Sequence, residues 1–458
     1  MPQAMRVSPY FLVLLVCAVG PFLTWRLTRV NVPPCDCPRT STSLPRPTAA
    51  PLATVPSPAV IAPSTPNPRA AADVASRGNT TASSVVPRFV FGDFQTMAEA
   101  VHAYSQFHSA VLRHADADPT CRQIHYVVMV ADEGLGNRIR VLLSLYLFAM
   151  MTQRVLLLDW AKPFPVDNIF QSPSGLNWDA KPPKGCASAL YDFSGNKLNH
   201  KVDKMREDDF ERAYPEPVVY MRTTIPFYGY FSHHVIWGAV FRRLVGHHGI
   251  PQVLQYLVKP APAVQDIIGP LLNQVGNGEL ITVHLRTGAA DQRANLWINT
   301  KTLQFLKTCV LTTFYLKLRQ KKNPFLFIAS DSPSEVEYLA KRVPKDRVLL
   351  VAGRAAHLQE KQALPDYQKS AADWFMLGEG DLRFGTGGSS FSAMAMKRRP
   401  GLTYLFPREH QSPTHVMLTL KANDLTPTVP EWCWLQQQHP PEKLPEALQS
   451  TEFNVLGS

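Results

Sequence analysis

Long runs of like charge are missing from this sequence, and so are arginine-rich stacking motifs. Lysine and arginine outnumber acidic residues 47 to 36, for a net charge of +11. The excess is spread thinly, which excludes a nucleic-acid arm and leaves a diffuse basic surface. Cysteine is scarce, with seven residues, and Cys35-Asp36-Cys37 does not have the spacing of a zinc site. No Gly-Lys-Ser/Thr follows a glycine-rich turn, so no Walker-type phosphate loop is present. The Gly-x-Gly-x-x-Gly dinucleotide fingerprint is missing too. The C-terminus lacks a KDEL-type signal. No metal-binding cluster falls at a predicted strand end. Asp116-Ala117-Asp118 formally spells Asp-x-Asp, but it precedes the first predicted strand and reads as solvated linker.

What is present divides the 458 residues unevenly. An apolar run over residues 7–25 is flanked by Arg6, Arg26 and Arg29 and is just long enough to cross a bilayer. It predicts a signal anchor within residues 1–30, with everything after it luminal. A cleaved signal peptide is the alternative, with small residues at Ala18-Val19-Gly20 but Pro21 after the cut. Residues 31–119 are rich in Pro, Ser, Thr and Ala and read as an extended stem. The stem carries a sequon at Asn79 and a pair, Cys35 and Cys37, suited to an inter-chain disulfide. Six cysteines lie beyond the anchor, an even number that permits disulfides. Cys309 falls in an apolar helical stretch and reads as a buried free thiol.

Hydrophobic residues make up 45% of the chain, enough for a sizeable core. Residues 120–278 open with a βαβ pattern: a strand over 124–130, a loop, a helix over 137–151 and a strand over 155–159. Farther on, Phe227-Tyr228-Gly229-Tyr230-Phe231 is an aromatic patch that suits core packing or, less simply, sugar stacking. Residues 279–437 alternate strand and helix throughout, with strands over 280–286, 324–329, 347–351, 382–386 and 402–406. The prediction is an α/β chain with two doubly wound Rossmann-type domains facing a cleft, as in a GT-B architecture. A Pro-containing tail, 438–458, completes it.

Three motifs fall at strand ends in the second domain, where ligands of such sheets bind. His284-Leu285-Arg286-Thr287-Gly288 closes one strand, and Ser330-Asp331-Ser332-Pro333-Ser334 closes the next. Gly385-Thr386-Gly387-Gly388-Ser389-Ser390-Phe391-Ser392 leads into a helix. A glycine-rich turn lets backbone amides approach a ligand, and a helix N-terminus favours an anion. Arg286 suits phosphate, and Asp331 can accept from the N1–H and amine of guanine. Together they describe a nucleoside diphosphate pocket.

These motifs resemble those of the GDP-fucose-dependent fucosyltransferase superfamily, which includes α1,2-, α1,6- and protein O-fucosyltransferases and the plant xyloglucan enzymes. The matching residues are His284 and Arg286, then Asp331, then Ser389 to Ser392. Gly134-Leu135-Gly136-Asn137-Arg138 and Leu156-Leu157-Leu158-Asp159 resemble the plant members in particular. One departure is Thr287, where several relatives place a second arginine; Arg138 could supply the missing contact.

The resemblance implies transfer of fucose from GDP-fucose to a glycan or glycoprotein acceptor, with inversion and without a metal or other cofactor. It assigns Arg286 to stabilising the leaving diphosphate and Glu133, or else Asp132, to accepting the acceptor's proton. Gly136, Asn137, Arg138, His284, Asp331, Ser389, Ser390 and Phe391 become substrate-binding candidates. Helix capping is the plainer role for Glu133. The implied location is the Golgi membrane, as a single-pass type II protein. Rival readings are a GT-B transferase using another nucleotide sugar and a catalytically silent Golgi carbohydrate-binding protein.

Overall fold

The computed structural model describes residues 89–193, 209–224, 226–246, 249–288, 298–354 and 363–406. The anchor, the sequon, Cys35, Cys37 and the tail expected from the sequence lie outside the described residues. Among those described, no helix is long and apolar enough to cross a membrane.

The folded part starts earlier than the composition suggests. Residues 89–119, expected as the end of the stem, contain helix α1, Met97–Arg113. A capping box starts it: Thr96 accepts from the Glu99 amide, and Glu99 accepts from the Thr96 amide. Met97, Ala100, Val101, Tyr104, Phe107, His108 and Val111 form its buried stripe. Asp118 is likewise more than linker. Its carboxylate accepts from the amides of Arg122, Gln123 and Ile124 at 2.9, 2.8 and 3.0 Å and fixes the turn into the first strand.

The first sheet is wholly parallel, in the order β2-β1-β5-β4. Its strands are β1 Tyr126–Val130, β2 Val155–Asp159, β4 Ser188–Phe193 and β5 Val218–Thr223. Helix α2, Leu135–Met151, makes the crossover from β1 to β2 and is almost entirely buried. Helix α1 covers the open edge of β2. Tyr104 Oη donates to Arg154 O at 2.7 Å and accepts from Leu156 N at 3.1 Å; His108 Nε2 lies 2.9 Å from Leu156 O. These bonds occupy backbone groups that an uncovered edge would offer to other chains. A chain beginning at Phe89 should therefore fold, whereas one beginning at Pro119 should be insoluble. Recovery of soluble protein from both truncations checks this, and equal yields would contradict it.

Short helices α3 Phe210–Ala213, α4 Gly238–Leu244 and α5 Gly249–Leu257 follow, with α6 Pro262–Val275 leading to the second half. Two-residue strands β3, Phe170–Gln171, and β6, Lys259–Pro260, pair antiparallel between them. Phe227 and Phe231 of the aromatic patch are fully buried, Phe231 packing against Phe227, Phe210 and Phe241, so the patch is core.

The second sheet is also parallel, in the order β11-β10-β7-β8-β9. It comprises β7 Glu279–Leu285, β8 Pro324–Ser330, β9 Val348–Leu349, β10 Leu382–Thr386 and β11 Leu402–Phe406. The helices are α7 Thr300–Arg319, α8 Pro333–Ala340, α9 Leu364–Glu379 and α10 Ser390–Lys397. Contacts on α9 join the halves: Trp374 and Phe375 pack edge-on against Phe170, and Tyr367 Oη accepts from Trp160 Nε1 at 3.1 Å.

A disulfide, Cys121–Cys186, ties the chain entering β1 to the chain entering β4, with Cα atoms 5.3 Å apart. Cys309, expected as a free thiol, is disulfide-bonded. Its burial in α7 is as compatible with half a bridge as with a thiol.

Candidate active site

The three motifs of the second half meet through bonds among their own residues. His284, near the end of β7, places Nδ1 2.6 Å from Ser392 Oγ on α10, with its ring tilted against that of Phe391 and the centroids 5.0 Å apart. Burial lowers its pKa to about 3, with Asp331 opposing, so the ring is neutral. The Arg286 amide donates to Thr386 Oγ1 at 3.0 Å, which ties the end of β7 to the end of β10. Ser389 is the N-cap of α10, and Gly388 before it has φ +77°, a left-handed conformation that suits glycine.

Asp331 does not have the role expected of it. Both its oxygens are occupied within the protein. Oδ1 accepts from the amide and the hydroxyl of Thr287, each at 2.8 Å, while Oδ2 accepts from Gly288 N at 2.8 Å and lies 3.2 Å from Arg286 Nη1. Only 5% of its side chain is exposed. It cannot read guanine without giving up these bonds. It staples the 286–288 turn and aims Arg286, whose own side chain is 16% exposed. Thr287, which takes the place of a second arginine, is the other half of that staple. Asp331→Asn would set an amide N–H₂ against one pair of donors, at a cost of about 1–3 kcal/mol. The expected result is at least a tenfold loss of rate with nucleotide preference unchanged. A changed preference among nucleotides would instead restore the base-reading role.

Arg138 is also turned away from the role considered for it. Its guanidinium donates to the carbonyls of Glu133 and Lys162 and lies 4.9 Å from the Trp160 ring. The residue is buried, and burial lowers its pKa. It holds the loop between β1 and α2 together and does not replace a phosphate-binding arginine.

That loop brings the first half to the site. The N-cap of α2 is Gly134, which puts Gly136 and Asn137 in its first turn. Gly136 lies directly against the start of α10. A Cβ added there would fall 2.3 Å from Phe391 N and 2.5 Å from Ser390 C. Farther along, the Ser144 hydroxyl of α2 accepts from the amides of Phe227 and Tyr228, and Tyr228 Oη accepts from Lys397 at the far end of α10. The two helices therefore run side by side in the same direction, and their N-termini converge. Parallel dipoles repel, so the convergence concentrates positive potential at one place beside Arg286. Arg140 is a residue that the sequence reading passed over. Its Nη2 donates to Asn137 Oδ1 at 2.9 Å and to Thr224 O at 3.2 Å, which fixes the Asn137 amide with its oxygen toward Arg140. The three-residue spacing of Asn137 and Arg140 was the available signal.

Carboxylates rim the end of the first sheet. Asp132 and Asp192 flank Arg222 at 3.2 and 3.4 Å. Glu133 is half-buried next to Asp132, one residue before the N-cap.

The site lies at strand ends of two parallel sheets, an arrangement of helix N-termini and a guanidinium that suits an anion. Comparison with known proteins sharpens this. The xyloglucan fucosyltransferase family model matches residues 103–200. Two Arabidopsis thaliana proteins are similar over short stretches. Galactoside 2-alpha-L-fucosyltransferase is 44% identical over 66 residues, covering 14% of this chain and 11% of that protein. Fucosyltransferase 6 is 39% identical over 72 residues, covering 15% and 13%. The chain thus spans about a tenth of the length of the curated relatives it matches. Among solved structures, a mutant of Arabidopsis thaliana FUT1 in complex with GDP is 15% identical, covering 69% of this chain and 80% of that one, with a TM-score of 0.49. The fucosyltransferase NodZ from Bradyrhizobium is 14% identical, covering 60% and 93%, with a TM-score of 0.40. The resemblance to fucosyltransferases read from the motifs is borne out, and the family match contains Glu133, Gly136, Asn137 and Arg138.

Proposed function

We propose that this protein transfers fucose from GDP-fucose to a glycan or glycoprotein, with inversion at the anomeric carbon and no metal ion. The observation that carries this reading is the convergence of the α2 and α10 N-termini beside Arg286. Two helix ends and a guanidinium can neutralise a leaving diphosphate without a cation. The acceptor oxygen attacks the anomeric carbon as the bond to the β-phosphate breaks, and the acceptor's proton passes to a carboxylate. Glu133 is the favoured base, because it is half-buried one residue before the N-cap of α2, in the loop that carries Gly136 and Asn137 to the site. Gly136, Asn137, Ser389, Ser390 and Phe391 shape the donor pocket, while His284 and Asp331 hold it in place. A Golgi luminal location fits the Cys121–Cys186 disulfide, which persists in oxidising compartments.

A panel of nucleotide sugars offered to residues 81–458 with mixed glycans tests the reading. GDP-fucose should be turned over preferentially, with chelator present or absent. Preference for GDP-mannose or a UDP-sugar, or loss of turnover on chelation that manganese restores, would overturn it. Glu133→Gln should lose transfer by about 10²- to 10⁴-fold yet bind GDP and melt as the parent does. Wild-type transfer by that variant would move the base elsewhere.

A further inference from the structure

A groove among the described residues lies outside the candidate active site. It has a volume of about 580 Å³ and runs between α1, α5 and the turn at Ser174-Gly175. Helix α1 has two working faces. One covers the edge of β2; the other, through His102, Ser109 and Arg113, lines the groove opposite Gln252 and Tyr256 of α5.

The walls are preorganised. Ser109 Oγ donates to Gly175 O at 2.7 Å, Tyr256 Oη to Ser174 O at 2.9 Å, and the Gln106 amide lies 3.0 Å from His102 Nε2. No carboxylate is among the lining residues, and Val101 adds apolar surface. A single guanidinium is too little charge for a nucleic acid, and the ring of hydroxyl, amide and imidazole groups would strand an apolar helix over polar atoms. Hydroxyls that donate and accept, on a ring with an apolar face, satisfy such walls. That is the chemistry of an oligosaccharide.

The direction of the groove connects it to catalysis. Tyr104 bonds Arg154 O, and His108, one turn later, bonds Leu156 O. Helix α1 therefore climbs alongside β2 toward its carboxyl end, and Arg113 lies at the upper end of the groove. The carboxyl ends of the strands are where the candidate active site sits.

We infer that the α1–α5 groove is an accessory glycan-binding track that holds an oligosaccharide arm of the acceptor. This rests on the glycosyltransferase reading. An extended acceptor would gain affinity through it while a short one would not, because tethering makes capture by the catalytic cleft intramolecular.

Binding of fluorescently labelled wild-type protein to an array of immobilised neutral and acidic glycans, with GDP at saturation, tests the inference. Gln252→Trp fills the groove from an exposed position, and Arg113→Ala removes its one guanidinium. Wild type should retain a discrete set of extended glycans, and both variants should lose at least tenfold of that signal. Their turnover of GDP-fucose to free GDP should equal that of wild type. Variants that bind the same glycans undiminished, or wild type that retains none, would overturn the groove. Failure of wild type to release GDP from GDP-fucose would overturn the donor reading instead, so the two failures are separable.

Discussion

Arg286→Ala is expected to reduce transfer by roughly two orders of magnitude or more while the protein stays folded. The expectation follows from charge. When the glycosidic bond breaks, negative charge builds on the β-phosphate, and a preorganised donor aimed at it is worth on the order of 3 kcal/mol in the transition state. Arg286 is preorganised from both ends: its amide is bound by Thr386 Oγ1, and its guanidinium is held at 3.2 Å by Asp331. Truncation removes the donor and leaves Asp331 with three remaining bonds from Thr287 and Gly288, so the turn itself should survive. Arg286→Lys should recover part of the rate, because an ammonium keeps the charge but loses the planar fork that serves Asp331 and a phosphate together. Rates of GDP release for the three proteins, with melting temperatures to confirm folding, decide the matter. An alanine variant that turns over like wild type would remove Arg286 from the chemistry.

Part of the second sheet was legible because a parallel strand buried on both faces, such as Pro324–Ser330, reads as a continuous apolar run. The stretches 382–386 and 402–406 match their strands residue for residue. The helix of residues 97–113 was not legible, because the composition of its Pro-rich neighbours masked a stripe of apolar residues at helical spacing. The motifs correctly marked strand ends, but Asp331 and Arg138 were given outward roles that burial denies them. Asp331 and Arg138 look like ligand contacts in sequence because a buried polar staple and a substrate contact use the same residue types. Only the bonding partners tell them apart, and those partners, such as Thr287 and Lys162, lie in loops with no pattern of their own.

Gly136→Ala is expected to cost at least about 100-fold in kcat/KM, although by helix propensity alone it should stabilise the protein. Alanine is favoured over glycine in a helix by up to about 1 kcal/mol, and Gly136 lies in the first turn of α2. Against this stands contact between two backbones. The new methyl would lie 2.3 Å from Phe391 N, 2.5 Å from Ser390 C and 2.6 Å from Phe391 Cα. None of these atoms can rotate aside. The helices must part, at an overpacking cost of about 1–3 kcal/mol. Parting them moves the N-terminus of α10 away from α2 and from the Arg286 turn, and a misplacement of about 1 Å can itself cost about 10²-fold. The propensity gain offsets part of the overpacking cost in stability and none of the loss in catalysis. The signature is a melting temperature at or modestly below that of wild type beside a large loss of activity and weaker GDP binding. An alanine variant that is more stable by the full propensity gain and equally active would show that α2 and α10 do not share one donor site.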